Sequence, residues 1–280
     1  MKNLPIPEFS ASEVFDASLL GMQDVLLCSL ISHFKPNLMA ASVDMEDAIQ
    51  ARNFLEVHPD VGVPPSVSSE HLISLYEDGL VGRKAGRAYY DKIKNHEPDG
   101  KCAYCLQRPA EQVDHYYPKS RFSKLSVAPA NLVPVCEKCN KAKLDAVEAD
   151  PDKVFIHPYA DLVDEYVWLE ASLVPGAFGT VRFLISPDDE IPDAFKSRIA
   201  NTFKTLELGR LYSIAANDEI SATRHELSEK LRDDGVEGVR RHLKLRRESC
   251  EKHDRNSWRS AAYRCWERSE VFIEGGWERG

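Results

Sequence analysis

The chain has 280 residues, 43% of them hydrophobic, with 36 Lys and Arg against 45 Asp and Glu and a formal net charge of −9. This length and composition can bury one large core or two smaller ones. No apolar run approaches the roughly 18 residues of a membrane helix, and no basic leader precedes an apolar stretch, so we expect a cytoplasmic protein rather than a membrane or secreted one.

The acidic excess is unevenly distributed along the chain. Residues 1–100 carry a net charge of −7 and residues 146–223 one of −8, whereas residues 101–145 and 224–268 carry +4 each. A local positive surface can bind a phosphate backbone on an otherwise acidic molecule. The first basic block is therefore a candidate nucleic-acid surface, while residues 224–268 fit a solvated charged helix equally well.

In chain order, apolar periodicity and breaker residues first predict a helical N-terminal region. The predicted helices cover residues 12–34, 44–57, 69–78 and 86–94. A linker rich in Pro and Gly is predicted at residues 59–65. The first hundred residues are thus expected to be mostly helical.

The next segment changes character. Its predicted elements are a tight turn at 102–105, a strand at 112–117, a basic loop at 119–128, a strand at 132–135 and a helix at 137–147. Strand, loop, strand and helix in this order form a ββα unit. Most of this unit lies within the first basic block of the chain, residues 101–145.

Two Cys-x2-Cys pairs bracket this unit. Their members are Cys102, Cys105, Cys136 and Cys139. Four thiolates in two such pairs suit a closed tetrahedral zinc site. The other three cysteines lack paired spacing, which is typical of free thiols in a reducing cytoplasm. A purely architectural zinc knuckle, with no active site beside it, is the alternative interpretation.

Beyond this unit the pattern predicts strands at 154–159 and 181–185 and then helices at 193–206, 210–232, 235–253 and 256–268. We therefore predict an α+β fold, mainly α-helical, with a small zinc-bound ββα centre embedded in a helical scaffold. The expected regions are a helical N-terminal region at 1–98, the zinc-bound core at 99–160 and a mostly helical C-terminal region at 161–280.

Residues 102–143 resemble the HNH endonucleases, which are ββα-metal nucleases. The resemblance rests on three segments in order, CAYC, VDHYYPKSR and NLVPVCEKCNKAK. They contain an Asp-His pair followed by Pro, an Asn-Leu, and Cys-x2-Cys-Asn followed by Lys. The resemblance implies a metal-dependent endonuclease acting on DNA, with a structural Zn²⁺ and a catalytic Mg²⁺ or Mn²⁺.

Hydrolysis of a phosphodiester needs an activated water and a cation that neutralises the phosphate. A neutral imidazole can accept the proton of water near pH 7, and a hard divalent cation prefers oxygen ligands. By resemblance, His115 is the general base, and Asp114 and Asn140 are the ligands of the catalytic metal. The resemblance also implies that Asn131 braces the loop and holds His115 in place. Asn140 stands where other members carry a His.

Four basic residues near the motif are candidates for binding nucleic acid: Lys119, Arg121, Lys141 and Lys143. Lys141 and Lys143 are equally well interpreted as solvated surface. Asp114 has the alternative role of orienting His115, Asn131 that of a turn residue, and Asn140 that of satisfying backbone donors at a helix start.

Two features outside the motif have two possible interpretations each. His157 is interpreted as a packing residue, with support of the metal or substrate as the alternative. Trp258, Tyr263 and Trp266 on a predicted helix are interpreted as core, with a nucleic-acid surface as the alternative.

Two further functions compete with DNA cleavage. The first is cleavage of RNA, and the second is a catalytically inactive, zinc-stabilised module that binds nucleic acid or serves as an adaptor. The helical flanks are similar to those of stand-alone bacterial HNH proteins. Some of these serve anti-phage systems in which an ATPase partner controls the nuclease, as in Septu-type defence, so a regulatory protein partner is expected here.

Overall fold

The structure, a computed structural model, describes residues 1–60, 66–96, 100–144, 150–186, 188 and 190–278. The chain divides into two compact units, Met1–Leu162 and Val163–Gly280. Helices predominate in both, and each unit contains one small two-stranded antiparallel sheet. The predicted α+β, mainly helical class is confirmed. Among the described residues no helix combines the length and the apolar character needed to cross a membrane.

The predicted regions relate to these units as follows. The boundary between residues 98 and 99 falls among residues that the structure does not describe, so it stays a prediction. The boundary between residues 160 and 161 lies next to the end of the first unit at Leu162. Within the first unit, helices that precede residue 97 pack in a single core with Val113 and Leu132 of the ββα unit.

The first unit begins with helices. They are α1 (Ala11–Leu19), α2 (Val25–Gln50), α3 (Ser69–Ser74), a π-helical segment (Leu75–Gly82) and α4 (Lys84–Lys94). The prediction of one helix over residues 12–34 was wrong, because the chain takes a positive φ of 86° at Gly21 and Asp24 then caps a new helix. The predicted end at Pro36 was also wrong. A helix of 26 residues accommodates a proline by giving up one backbone hydrogen bond.

The predicted helix over residues 44–57 is the end of α2 and stops at Gln50. Of the predicted linker at 59–65, residues 61–65 lie outside the part of the chain that the structure describes. The two predicted helices at 69–78 and 86–94 correspond to α3, the π-helical segment and α4.

The predicted ββα unit is present. Strand β1 (Gln112–His115) pairs antiparallel with β2 (Leu132–Val135), and α5 (Glu137–Lys143) follows directly. In this register Asp114 lies opposite Val133 and His115 opposite Leu132. The predicted end of the helix, residues 145–147, lies outside the described residues.

Two tyrosines from the helical region complete the outer edge of β1. In an antiparallel pair every second residue turns its N–H and C=O away from the partner strand. At Val113, which lies opposite Pro134, Tyr76 Oη donates to the carbonyl at 2.6 Å and Tyr90 Oη accepts from the N–H at 3.2 Å. A sheet of two four-residue strands is marginal alone, and these bonds join it to the helices around it.

The second unit has a sheet and a set of helices. Its elements are β3 (Leu169–Leu173), β4 (Val181–Ile185), α6 (Asp193–Thr205), α7 (Leu208–His253), α8 (Trp258–Arg268) and α9 (Glu270–Ile273). The predicted strand at 154–159, in the first unit, was wrong. Its backbone bends at Val154 and turns from Pro158, so the extended stretch is too short to pair.

Helix α7 is interrupted where the sequence predicts a break. Gly235 has φ 65° and ψ −166°, outside the helical region. An ion pair of 2.9 Å joins Glu219 to Arg246, and 3.5 Å separates Glu226 from His242, so the two halves of α7 lie side by side. Glycine adopts this positive φ without the strain that a Cβ would bring.

The aromatic residues of α8 are buried, as the core interpretation predicts. Trp258, Tyr263 and Trp266 are at most 3% exposed. Arginines of the second basic block pair with glutamates of the same unit, among them Arg240 with Glu270 at 2.9 Å. Much of the positive charge in residues 224–268 is therefore neutralised within the fold.

Close packing between α4 and the π-helical segment generates a stability prediction. A Cβ built at Gly86 would lie against the carbonyl oxygen of Gly79 and 2.7 Å from Leu80 Cα, both of them backbone atoms. We expect Gly86→Ala to lower the free energy of unfolding by about 1–3 kcal/mol, as overpacking does. Thermal and urea unfolding measure the change.

Gly82→Ala is the matched control for this variant. Its Cβ would meet its nearest neighbour, Glu77 O, at 3.5 Å, which is ordinary van der Waals contact. We expect Gly82→Ala to leave the unfolding midpoint close to that of the native chain. Equal midpoints for the two variants would contradict the close approach at Gly86.

Candidate active site

The four paired cysteines meet in one cluster. Cys102, Cys105, Cys136 and Cys139 are buried free thiols, and their Sγ atoms all lie within 4.8 Å of one another. Cys105 Sγ and Cys136 Sγ are 4.0 Å apart. Four thiolates at about 2.3 Å from a tetrahedral zinc ion would be separated by about 3.8 Å. The predicted cluster is confirmed, and its geometry is compatible with a zinc site.

Backbone hydrogen bonds bring the two pairs together. Cys102 N–H donates to Arg108 O at 2.9 Å and closes the first turn, and Ala103 N–H donates to Pro134 O at 2.9 Å, which fastens the turn to β2. Cys136 follows β2 and caps α5, its Sγ accepting from Cys139 N–H at 3.5 Å. The short strand β2 therefore connects both halves of the cluster.

Mutual hydrogen bonding divides the protons among the four thiols. Bonds from Cys102 lower the pKa of Cys136 and lower that of Cys105 to about 6. Hydrogen bonds with Cys105 and Cys136 raise the pKa of Cys102, and hydrogen bonds with the other three thiols raise the pKa of Cys139. Part of the cluster is thus thiolate near neutral pH, which is the form that binds a metal.

The Asp-His pair occupies the end of β1. His115 is 5% exposed, whereas the Asp114 side chain is 18% exposed. His115 Nε2 lies 2.8 Å from Ser126 O, and because a carbonyl only accepts, Nε2 carries the proton and Nδ1 is the acceptor nitrogen. Burial lowers the pKa of His115 to about 3, so its imidazole is neutral at pH 7.

Asn131 joins both ends of the loop after β1. Its Oδ1 accepts from Tyr117 N–H at 2.7 Å, and its Nδ2 donates to Tyr117 O at 3.0 Å and to Leu125 O at 3.2 Å. Asn131 is fully buried. The loop that it braces carries Ser126, whose carbonyl receives the His115 N–H.

Asn140 and Lys143 reach Asp114 from α5. With the Asn140 amide oriented to suit its neighbours, its nitrogen donates to Asp114 Oδ1 at 3.1 Å. Lys143 is buried, with Nζ 3.1 Å from Asp114 Oδ2 and 2.7 Å from His115 O. The residues predicted to bind the catalytic metal, Asp114 and Asn140, are therefore neighbours, and the Lys143 ammonium faces them rather than solvent.

The other candidate nucleic-acid contacts lie at the surface. Lys119 pairs with Glu77 at 2.6 Å, and Lys141 pairs with Glu137 at 2.5 Å. Arg121 is exposed. Exposed ion pairs of this kind are weak and screened by salt, so a phosphate can replace the carboxylate.

His157 lies in an aromatic cluster within the first unit. Its ring centroid is 4.2 Å from that of Tyr116 and 5.9 Å from that of Phe54, and its Nδ1 accepts from Tyr159 N–H at 3.2 Å. This environment agrees with the interpretation of His157 as a packing residue.

Tyr76 is a site neighbour that sequence reasoning missed. Its ring contacts His115 edge to face, with centroids 4.4 Å apart and planes at 66°. The predicted helix at 69–78 contains Tyr76, but nothing in the local pattern marks one of its residues as a partner of a histidine 39 positions later.

Comparison with known proteins gives two matches. The family model described as HNH endonuclease matches residues 102–145. Protein ea31 of Escherichia phage lambda is 26% identical over 301 residues, which covers 98% of this chain and 100% of that protein. No solved structure matches the chain. Residues 102–145, with their four-cysteine cluster, thus form an HNH endonuclease domain within the first unit.

Proposed function

We propose that this protein is a metal-dependent endonuclease that hydrolyses phosphodiester bonds in DNA. The supporting observation is that α5 of the HNH domain places a carboxamide beside the Asp114 carboxylate, and that the next residue of β1 is His115, whose imidazole is neutral. The Asn140 amide is 3.1 Å from Asp114, and His115 adjoins Asp114 on β1. This is the minimum set of groups for an activated water beside an oxygen-ligated cation.

The proposed roles follow from the donor chemistry. One carboxylate and one carboxamide oxygen suit a hard cation such as Mg²⁺ or Mn²⁺. Asp114 and Asn140 would hold it with the Asn140 amide turned so that its oxygen, rather than its nitrogen, faces Asp114. When bound, the cation would stabilise negative charge on the phosphate and the leaving oxygen. His115 accepts the proton of the attacking water at Nδ1, because Nε2 is engaged with Ser126 O. Asn131 keeps that loop in place.

The partners are proposed on charge and similarity. The acidic blocks 1–100 and 146–223 repel a polyanion, and we propose that a regulatory protein presents the substrate to the basic block at 101–145. This proposal includes a role in anti-phage defence with an ATPase partner, as in Septu-type systems. Similarity to a protein of phage lambda favours a role in phage infection, either as a phage protein or as part of the host's defence.

A second candidate function is an inactive zinc-stabilised module that binds nucleic acid. The observations in its favour are the burial of His115, which limits the access of water, and the Lys143 ammonium beside Asp114. The cleavage test below separates the two functions.

We predict one zinc ion per chain, since four buried thiols converge on one point. Cys136→Ser should abolish stoichiometric zinc and destabilise the first unit, because metal binding free energy contributes to folding. Metal analysis of purified protein and thermal unfolding with and without a chelator measure both effects. Cys250→Ser, which alters a cysteine outside the cluster, is the control and should retain its zinc. Full zinc in Cys136→Ser would contradict the proposed site.

We predict that Mg²⁺ or Mn²⁺ switches on plasmid nicking and that His115→Ala lowers its rate by about 10²–10⁴-fold, the usual contribution of a general base. The zinc content should stay that of the native chain. His33→Ala, which alters an exposed histidine of α2, is the matched control and should cleave normally.

Matched DNA and RNA oligonucleotides identify the substrate in the same assay. Absence of cleavage of either by zinc-loaded protein, in both metals, would favour the binding module. Full activity of His115→Ala would show that another residue is the general base.

A further inference from the structure

Tyr76 contacts the imidazole of His115 from outside the HNH domain. Tyr76 lies on the π-helical segment, 26 residues before Cys102, where the domain match begins. The two rings meet edge to face at 4.4 Å, a favoured geometry for aromatic pairs. One side of the imidazole is therefore in contact with a rigid aromatic ring.

The position of the Tyr76 ring is itself restrained. Its hydroxyl donates to Val113 O at 2.6 Å, two residues before His115, and the side chain is buried in the core of the first unit. The ring is thus fastened to β1 at its hydroxyl end and touches the histidine of the same strand. π-Helical turns are rare and occur frequently at functional sites.

A second contact to His115 is supported from the same helical stretch. Ser126 O accepts the His115 N–H at 2.8 Å, and Ser126 Oγ donates to Leu72 O at 2.7 Å. Leu72 belongs to α3 and precedes Tyr76 by four residues. Residues 72–76 therefore support both the ring that touches the imidazole and the carbonyl that binds it.

We propose that Tyr76 is a positioning residue for His115. Its ring, together with the Ser126–Leu72 bond, keeps the imidazole in the orientation in which Nε2 donates to Ser126 O and Nδ1 accepts a proton. The consequence for catalysis rests on the proposed function, in which His115 is the base. The effect of Tyr76 on the orientation of the imidazole does not depend on the proposed function.

The test compares Tyr76→Leu and Tyr76→Phe with Tyr90→Leu in the zinc-loaded full chain. Tyr90 is the matched control, because it is buried in the same core and its hydroxyl bonds Val113 N–H, but its ring pairs with Tyr76 rather than His115. Nitrogen NMR of histidine-labelled protein, with His115 assigned by substitution, reports which ring nitrogen carries the proton. Cleavage of a DNA oligonucleotide with Mg²⁺ gives kcat and KM.

We expect the native chain, Tyr76→Phe and Tyr90→Leu to hold the proton of His115 on Nε2. Tyr76→Leu should show a mixture of the two tautomers. Its kcat should fall roughly 10- to 100-fold with little change in KM, the result for a misplaced catalytic group. Tyr76→Phe, which keeps the ring, should restore most of kcat.

Three results would overturn the proposal. One is a native tautomer and kcat in Tyr76→Leu, and another is the same losses in Tyr90→Leu, which would indicate general packing. If Tyr76→Leu does not fold, as judged by zinc content, Tyr76→Met replaces it, because it fills more of the space but also lacks the ring. A native tautomer and kcat in Tyr76→Met is the third result. A native chain that cleaves neither DNA nor RNA would refute the proposed function, while the tautomer comparison would still decide the role of Tyr76.

Discussion

The convergence of four buried thiols is the constraint on which the ββα unit depends. Two strands of four residues and a helix of seven bury little surface of their own, and isolated elements of this size are unstable in water. The cysteine pairs join the turn before β1 to the start of α5, and Ala103 is bonded to β2. Because the turn before β1 and the start of α5 are held together, Asn140 and Lys143 of α5 contact Asp114 of β1.

The helices around this unit supply contacts that the four-cysteine cluster does not. Tyr76 and Tyr90 satisfy the backbone of Val113, and Leu72 accepts from Ser126. These contacts come from segments that precede the HNH domain and lie in the same core as β1. The candidate active site is therefore a product of the whole first unit, although its reactive groups lie within residues 102–145.

Sequence reasoning succeeded where the signal is local and failed where tertiary packing decides. The cysteine pairs, β1, β2 and the start of α5 follow from spacing and from residue types that favour turns and strands. The break between α1 and α2 depends on a positive φ at Gly21, and the helix continues through Pro36 because neighbouring turns maintain it. The contact between Tyr76 and His115 joins distant segments, which no periodicity reveals. Similarly, the net charge of residues 224–268 does not reveal that Arg240 is paired with Glu270.

The buried ammonium of Lys143 compensates the charge of Asp114 within the first unit. A carboxylate without such a counter-ion would favour protonation or open the fold to water when no metal is present. Lys143 thus provides Asp114 with a charge partner that belongs to the chain itself. If Asp114 holds a divalent ion, as we propose, that ion would share the carboxylate with the Lys143 ammonium, and a polyanion bound beside it would ease the competition by adding negative charge.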